Sequence, residues 1–302
     1  MLLTNYFTSG WRNIVNHKLF SGINILGLAI GLAAVSLITL FVKHELSYDQ
    51  FWQDADKIHR AHVTFKVPGR DPIAAVTTPG PMIHALKKDF PEVEYASRIG
   101  NIGPLIQHKD QSFVETMSLV DADFLNIFNL TYIYGDRASA LLDPHSIVLN
   151  ETLAQKYFGN ENPVNQVLSL DLGSFKRDYK VTAVIKDLPE NTQLSVNALL
   201  LIDENDWQDQ PWRFGAWFSV NAQTYLTLKD PSQFARINSE MNSFTNRNFP
   251  KLPMGGDDAD KSDFIELSIM AMKDLHLNSE GMGEFAERGS KNTVITFSAI
   301  AI

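Results

Sequence analysis

Two groups of residues in this chain have the types needed to hold a metal: His59 with His62, and the acidic run GGDDADKSD at 255–263. Imidazoles ligate zinc, and oxygen-rich loops ligate calcium. Neither pattern is complete. A helix-to-strand junction near residue 60 would part the two histidines, and solvated or capping roles suit them. The acidic run lacks the alternating oxygen ligands, central glycine and closing Glu of an EF-hand, so it reads as a solvated loop. The absence of cysteine removes disulfides, thiolate nucleophiles and cysteine zinc sites. The patterns GxxxxGK[ST], GxSxG, HExxH and GxGxxG do not occur. The chain therefore carries no ATPase phosphate loop of its own and names no enzyme. No catalytic, cofactor or metal residue is assigned. One aromatic cluster remains, Trp207, Trp212, Phe214, Trp217 and Phe218. It either packs a small subdomain or exposes Trp207, Trp212 and Trp217 as a contact surface for a partner or apolar substrate.

With no chemistry to anchor the reading, the elements carry it. Residues 19–42 (LFSGINILGLAIGLAAVSLITLFV) hold no charge and are bracketed by Lys18 and Lys43. As a helix the run would be about 36 Å long, enough for a hydrocarbon layer of roughly 30 Å. It is too long for the buried helix of a soluble protein, and Phe41-Val42-Lys43-His44 is a poor cleavage site for a signal peptide. An uncleaved transmembrane anchor is expected.

Orientation follows from the flanks. Arg12 and Lys18 precede the run without any acid, whereas Glu45, Asp49, Asp54 and Asp56 follow it. The positive-inside rule places the N-terminus in the cytoplasm and the main domain outside. Before His44 the chain is net +3, which leaves the remainder at −12 of the overall −9. So acidic a domain does not suit nucleic acid. Residues 1–18 place Phe7, Trp11, Ile14 and Lys18 at helical spacing, as in an amphipathic helix lying in the bilayer interface; a frayed tail is the alternative. Gly27 and Gly31 form a GxxxG face on which another helix could pack closely.

From 45 to 290 the pattern is mixed. Strands are expected at 62–67, 95–100, 112–121, 146–149, 167–172, 179–188, 197–202, 218–229 and 265–272. Helices are expected at 48–60, 80–90, 151–158 and 232–247, the last striped by Phe234, Ile237, Met241 and Phe244. Strands outnumber helices and do not alternate with them, so the fold class is α+β. The closing TVITFSAIAI is either a last strand or, as favoured, the start of a truncated second transmembrane helix at 293–302.

These features, in order, resemble the MacB/FtsX-like permeases, the membrane subunits of a class of ABC transporters. The likeness runs through GWRNIVNHKLFSGINILGLAIGLA (10–33), ELSYDQFWQDADKIHR (45–60), TPGPMIHALKKDFPEVE (78–94), SIVLNETLAQKYFGNENPVNQVLSL (146–170) and YKVTAVIKDLPENTQ (179–193). Val164-Asn165-Gln166 stands where that family usually has Ile-Gly-Lys. The resemblance implies a two-lobed mixed periplasmic core domain at 45–290, with a membrane-proximal lobe at 45–110 and 218–290 and an inserted lobe at 111–217. It also implies an inner-membrane location and a separate ABC ATPase subunit that moves the periplasmic domain. A second permease copy or half and a periplasmic adaptor are its expected partners, and peptides, drugs or lipoproteins its expected substrates. A single-pass anchored binding or sensor module is the alternative.

Overall fold

The computed structural model describes residues 2–108, 111–252, 256 and 259–301. Gly255, Asp257 and Asp258 of the acidic run lie outside the described residues. The chain divides into two units, Met1–Ser47 with Gly289–Ile302, and Tyr48–Arg288.

The first unit is helical. Leu2–Asn16 and Lys18–Leu46 are separate helices because His17 leaves helical geometry, with φ −117° and ψ 55°. Lys18–Leu46 has a mean hydropathy of 2.6 over its most apolar window and buries no residue. It is the one described helix long and apolar enough to cross a membrane. The closing segment is a helix, Lys291–Ala301, not a strand. It lies beside the long helix, where Phe41 and Phe297 meet edge to face with ring centroids 5.4 Å apart.

The second unit is built on β1 (Ile58–Phe65), β2 (Ile73–Ala75), β3 (Thr78–Pro79), β4 (Val93–Ile102), β5 (Leu105–His108), β6 (Gln111–Val114) and β7 (Met117–Val120). It continues with β8 (Tyr132–Tyr134), β9 (Ser146–Asn150), β10 (Val167–Asp171), β11 (Lys176–Ile185), β12 (Ala198–Leu201), β13 (Val220–Leu228) and β14 (Ile265–Ala271). The pairing order is β14-β1-β13-β4-β7-β12-β9-β11-β10-β5-β6. Pairs β12–β7 and β9–β11 are parallel and the rest antiparallel, a mixed sheet in an α+β fold. β4 runs on into β5 and β6 into β7 as one long hairpin. The path from β7 through β12, β9, β11 and β10 to β5 therefore closes a six-stranded ring. Strand alternation points Ile106, Leu119, Ile147, Leu149, Leu168 and Val181 inward as one core.

The other end of the sheet, β14-β1-β13-β4, packs one face on two helices. Met82–Asp89 contributes Met82, Ile83 and Leu86, and Phe234–Asn248 contributes Ile237, Met241 and Phe244. Glu151–Phe158 starts where the Asn150 side chain accepts from Leu153 N (2.8 Å) and stops at Gly159, with φ +66°.

The helix expected over 48–60 does not form. Trp52, Ala55 and Ile58 do share a core, as their spacing suggests, but they do so from a series of turns that lead into β1. Asp49 holds a left-handed φ of +57°, and its N–H donates to Asn191 O at 3.0 Å. That long-range bond outweighs local helix propensity. Elsewhere the backbone closes up at Gly80, where an added Cβ would lie 2.1 Å from the carbonyl oxygen of Phe214. Gly80→Ala should therefore cost about 3 kcal/mol, the upper range of an overpacked site. A chemical-denaturation midpoint unchanged from wild type would contradict this.

Candidate functional site

Among the described residues, no three His, Asp or Glu side chains are placed to share a metal ion. Buried polar groups are the informative feature, because burying them is costly unless they are paired. Two of the networks they form reach the chain segments that lead into and out of the sheet unit, 48–57 and 272–288.

The first network surrounds Arg60. Along β1, Ile58, Arg60 and His62 point to one face of the sheet, and Ala61 and Val63 to the helix-covered face. Arg60 is fully buried. Its Nη1 and Nη2 donate to the two carboxylate oxygens of Glu284 at 2.7 and 2.6 Å, and Nη2 also donates to Ser279 Oγ at 2.7 Å. Ser279 Oγ–H donates in turn to Glu284 at 2.6 Å. Glu284 sits on an irregular strap, 279–288, laid across this face. The strap is shaped by Gly281 (φ +136°) and Gly283 (φ +94°), where a Cβ would lie 2.9 Å from Ala74 and 2.8 Å from Thr77. Met282 N donates to Ala74 O and Val76 N to Met282 O, both at 3.0 Å, and Gln223 Nε2 donates to Gly283 O at 2.8 Å.

The charges follow from these contacts. Burial raises the Glu284 carboxyl, but the bonds and charge of Arg60 outweigh it and hold the group below its usual range. Burial would lower Arg60, yet Tyr225 and Glu284 keep it above its ordinary value. His62 is pushed down to about 3, first by burial and then by the Arg60 charge. The face thus holds a fixed ion pair beside a neutral imidazole.

The second network centres on Asp49 and Gln193, both fully buried. Asp49 accepts from Trp52 Nε1 (3.1 Å), Thr192 Oγ and Gln193 N (3.1 Å). Burial still raises its pKa above the ordinary carboxylate value despite those bonds. The Gln193 side chain reaches the other way, from Nε2 to His276 Nδ1 (2.9 Å) and to Glu287 O (3.3 Å). The rings of Tyr48 and His276 stack with centroids 3.4 Å apart and planes 4° from parallel. One buried glutamine therefore joins the segment that enters the sheet unit to the one that leaves it. A fixed joint of this kind can carry force.

The sequence-assigned residues lie elsewhere. A Cβ at Gly27 or Gly31 would meet nothing within 4 Å. Trp11, Ile14 and Lys18 are exposed on their helices, and the Phe7 side chain lies outside the described residues. The three tryptophans are dispersed. Trp207 is buried in the ring core with Arg213 stacked over it at 4.2 Å, and Trp217 packs on Phe249 at 4.7 Å. Trp212 is half exposed. His59 and His62 both lie in β1 but on opposite faces, His59 bonded to Lys57 O at 2.9 Å and stacked on Phe234. Neither buried network was anticipated. The available signal was Arg60 within the otherwise core-forming IHRAHVTF.

Residues 21–244 match the family model described as the MacB-like periplasmic core domain. No curated protein matches. Among solved structures, a domain of a protein described as a permease from Porphyromonas gingivalis aligns with a TM-score of 0.57 at 20% identity, over 72% of this chain and 90% of that one. The periplasmic region of MacB from Actinobacillus actinomycetemcomitans gives 0.48 at 11%, over 72% and 90%. The extracellular domain of the ABC-type transporter YknZ from Gram-positive bacteria gives 0.46 at 12%, over 70% and 99%.

Proposed function

Because this chain belongs to the MacB-like periplasmic core domain family, and so carries the periplasmic domain of an ABC transporter permease, we propose that it turns ATP hydrolysis on a separate cytoplasmic subunit into movement of that domain. The N-terminus lies in the cytoplasm and 45–290 in the periplasm of an inner-membrane protein. Within this domain 45–110 with 218–290 form the membrane-proximal lobe and 111–217 the inserted one. Residues 293–302 begin a second transmembrane helix. The observation that carries the reading is the buried joint at Gln193. Displacement of either connecting segment is passed to the sheet and to the other segment, as a force-transmitting domain needs. The substrates are exported peptides, drugs or lipoproteins, and a periplasmic adaptor completes the assembly.

Residues 1–18 lie in the cytoplasmic interface on Phe7, Trp11 and Ile14, with Lys18 at the headgroups. Gly27 and Gly31 form the seam against a helix of the second permease copy or half. Small residues there let backbones approach within packing distance. In the complex of this subunit with its ATPase, Gly27→Leu with Gly31→Leu should leave membrane insertion intact, since leucine is apolar. Substrate-dependent ATPase stimulation should fall severalfold, because leucine at both positions holds the two helix backbones apart. Exchanging Leu28 and Ile30 keeps volume and polarity and should do little. Full stimulation by the double-leucine variant would rule out coupling through this helix.

A further inference from the structure

We propose that the 279–288 strap is a proton-linked clasp, whose release from the sheet is driven by protonation of His62. The strap has no regular secondary structure. Two positive-φ glycines bend it, the polar bonds of Arg60, Gln223 and Gln193 and the packing of Phe285 fasten it, and Met282 at its crest is 64% exposed. Segments held by few contacts of this kind open locally before the rest of a fold.

His62 lies on the face that the strap covers and is 7% exposed. Its Nε2 faces the Arg60 guanidinium, with Arg60 Nε 3.4 Å away. A proton on that nitrogen would put two like charges together in a buried place. The surrounding groups are few. On its own strand there is Arg60, and just past the strand's end Lys66, which is paired with Glu266 of β14 at 2.6 Å. β14 sets Ser268 in register with His62, and β13 contributes Gln223 and Tyr225. The strap contributes Glu284. Only Glu284 favours the imidazolium, and it leaves with the strap.

While the strap is docked His62 stays neutral, with its pKa held down to about 3. Once released and hydrated, it titrates near the ordinary value of roughly 6.5. Release therefore takes up one proton below about pH 6.5. A group depressed in the closed state stabilises that state fully above its open-state pKa and progressively less as pH falls towards its closed-state value. Between pH 7.5 and 5.5 the open-to-closed ratio should rise about tenfold. Glu284 is ionised in both states over that window and does not contribute. The clasp responds in this way whatever the domain moves.

Hydrogen exchange on the full chain in detergent micelles, corrected for intrinsic exchange at each pH, reads the clasp directly. The Val76 and Met282 amides are bonded only when the strap is docked. Their protection should fall about tenfold from pH 7.5 to 5.5, and should lie below that of Leu149 in β9 throughout. His62→Gln should flatten the pH response of the strap amides. Glu284→Gln should lower their protection at every pH and keep the step. A flat wild-type response overturns the proposal, as does a step that survives His62→Gln. So does exchange of Met282 only together with Leu149, a comparison that needs no variant.

Discussion

Arg60→Met should destabilise the protein by about 3–5 kcal/mol, the cost of removing one member of a buried ion pair and stranding the other. Glu284 keeps 8% of its side-chain exposure and would retain only the Ser279 hydroxyl as a partner. Methionine fills a comparable volume, so the loss reports the stranded charge and not a cavity. The double variant Arg60→Met, Glu284→Met should recover much of the loss, because two apolar side chains need no partner. Chemical denaturation of the full chain in detergent would show this as a large midpoint shift in the single variant and a smaller one in the double. A single variant that loses under about 1 kcal/mol, as exposed pairs do, would mean that water reaches the pair.

Asp49→Ala should cost a similar amount, about 4 kcal/mol, for different reasons. Trp52 Nε1, Thr192 Oγ and Gln193 N would lose an acceptor inside the protein, at about 1–3 kcal/mol for each donor left unsatisfied. Alanine would also have to hold a φ of +57°, at roughly 1–2 kcal/mol. Asp49→Asn should cost under about 1.5 kcal/mol, since asparagine tolerates that backbone and keeps one acceptor oxygen. The pH response separates the two variants further. The folded pKa of Asp49 is raised, so its contribution is fully present below the ordinary value of 3.8 and is lost as pH rises through the folded value. At neutral pH its buried charge is a net cost that the asparagine removes. A loss under about 1.5 kcal/mol in the alanine variant as well would show that neither the Asp49 acceptor nor its backbone holds the entry segment.

The sequence shows some of this and hides the rest for physical reasons. An uncharged run at 19–42 was bound to be a long helix; the observed Lys18–Leu46 extends over Lys43, His44 and Glu45 because an established helix propagates at little cost. The Asn150 cap and Gly159 stop were readable because both act locally. Residues 48–60 misled because Trp52, Ala55 and Ile58 suit a helix, while the bond from Asp49 to Asn191 that prevents one spans most of the domain. The closed ring was hidden in the same way. Its closure depends on β10 meeting β5, and no local pattern encodes that pairing. Arg60 and Glu284 are 224 residues apart, and Gln193 lies in a loop whose composition gives no hint of its burial.

The position of β1 in the sheet has a consequence in time. All six strands of the ring lie between Val93 and Leu201, so the ring can close as soon as that stretch is available. β1 precedes it, yet its neighbours β13 and β14 come from residues 220–271. At roughly 5–20 residues per second, the chain from Phe65 to Val220 takes on the order of ten seconds to be made. Throughout that interval IHRAHVTF has only the short β2 to pair with, at Val63–Phe65, and remains an extended segment with isoleucine, valine and phenylalanine to expose. Such segments recruit other copies of themselves unless a charge interrupts them. Arg60 stands in the middle of this one, with a histidine on either side. The residue that is costly to bury in the finished fold keeps the nascent strand soluble until Glu284 arrives.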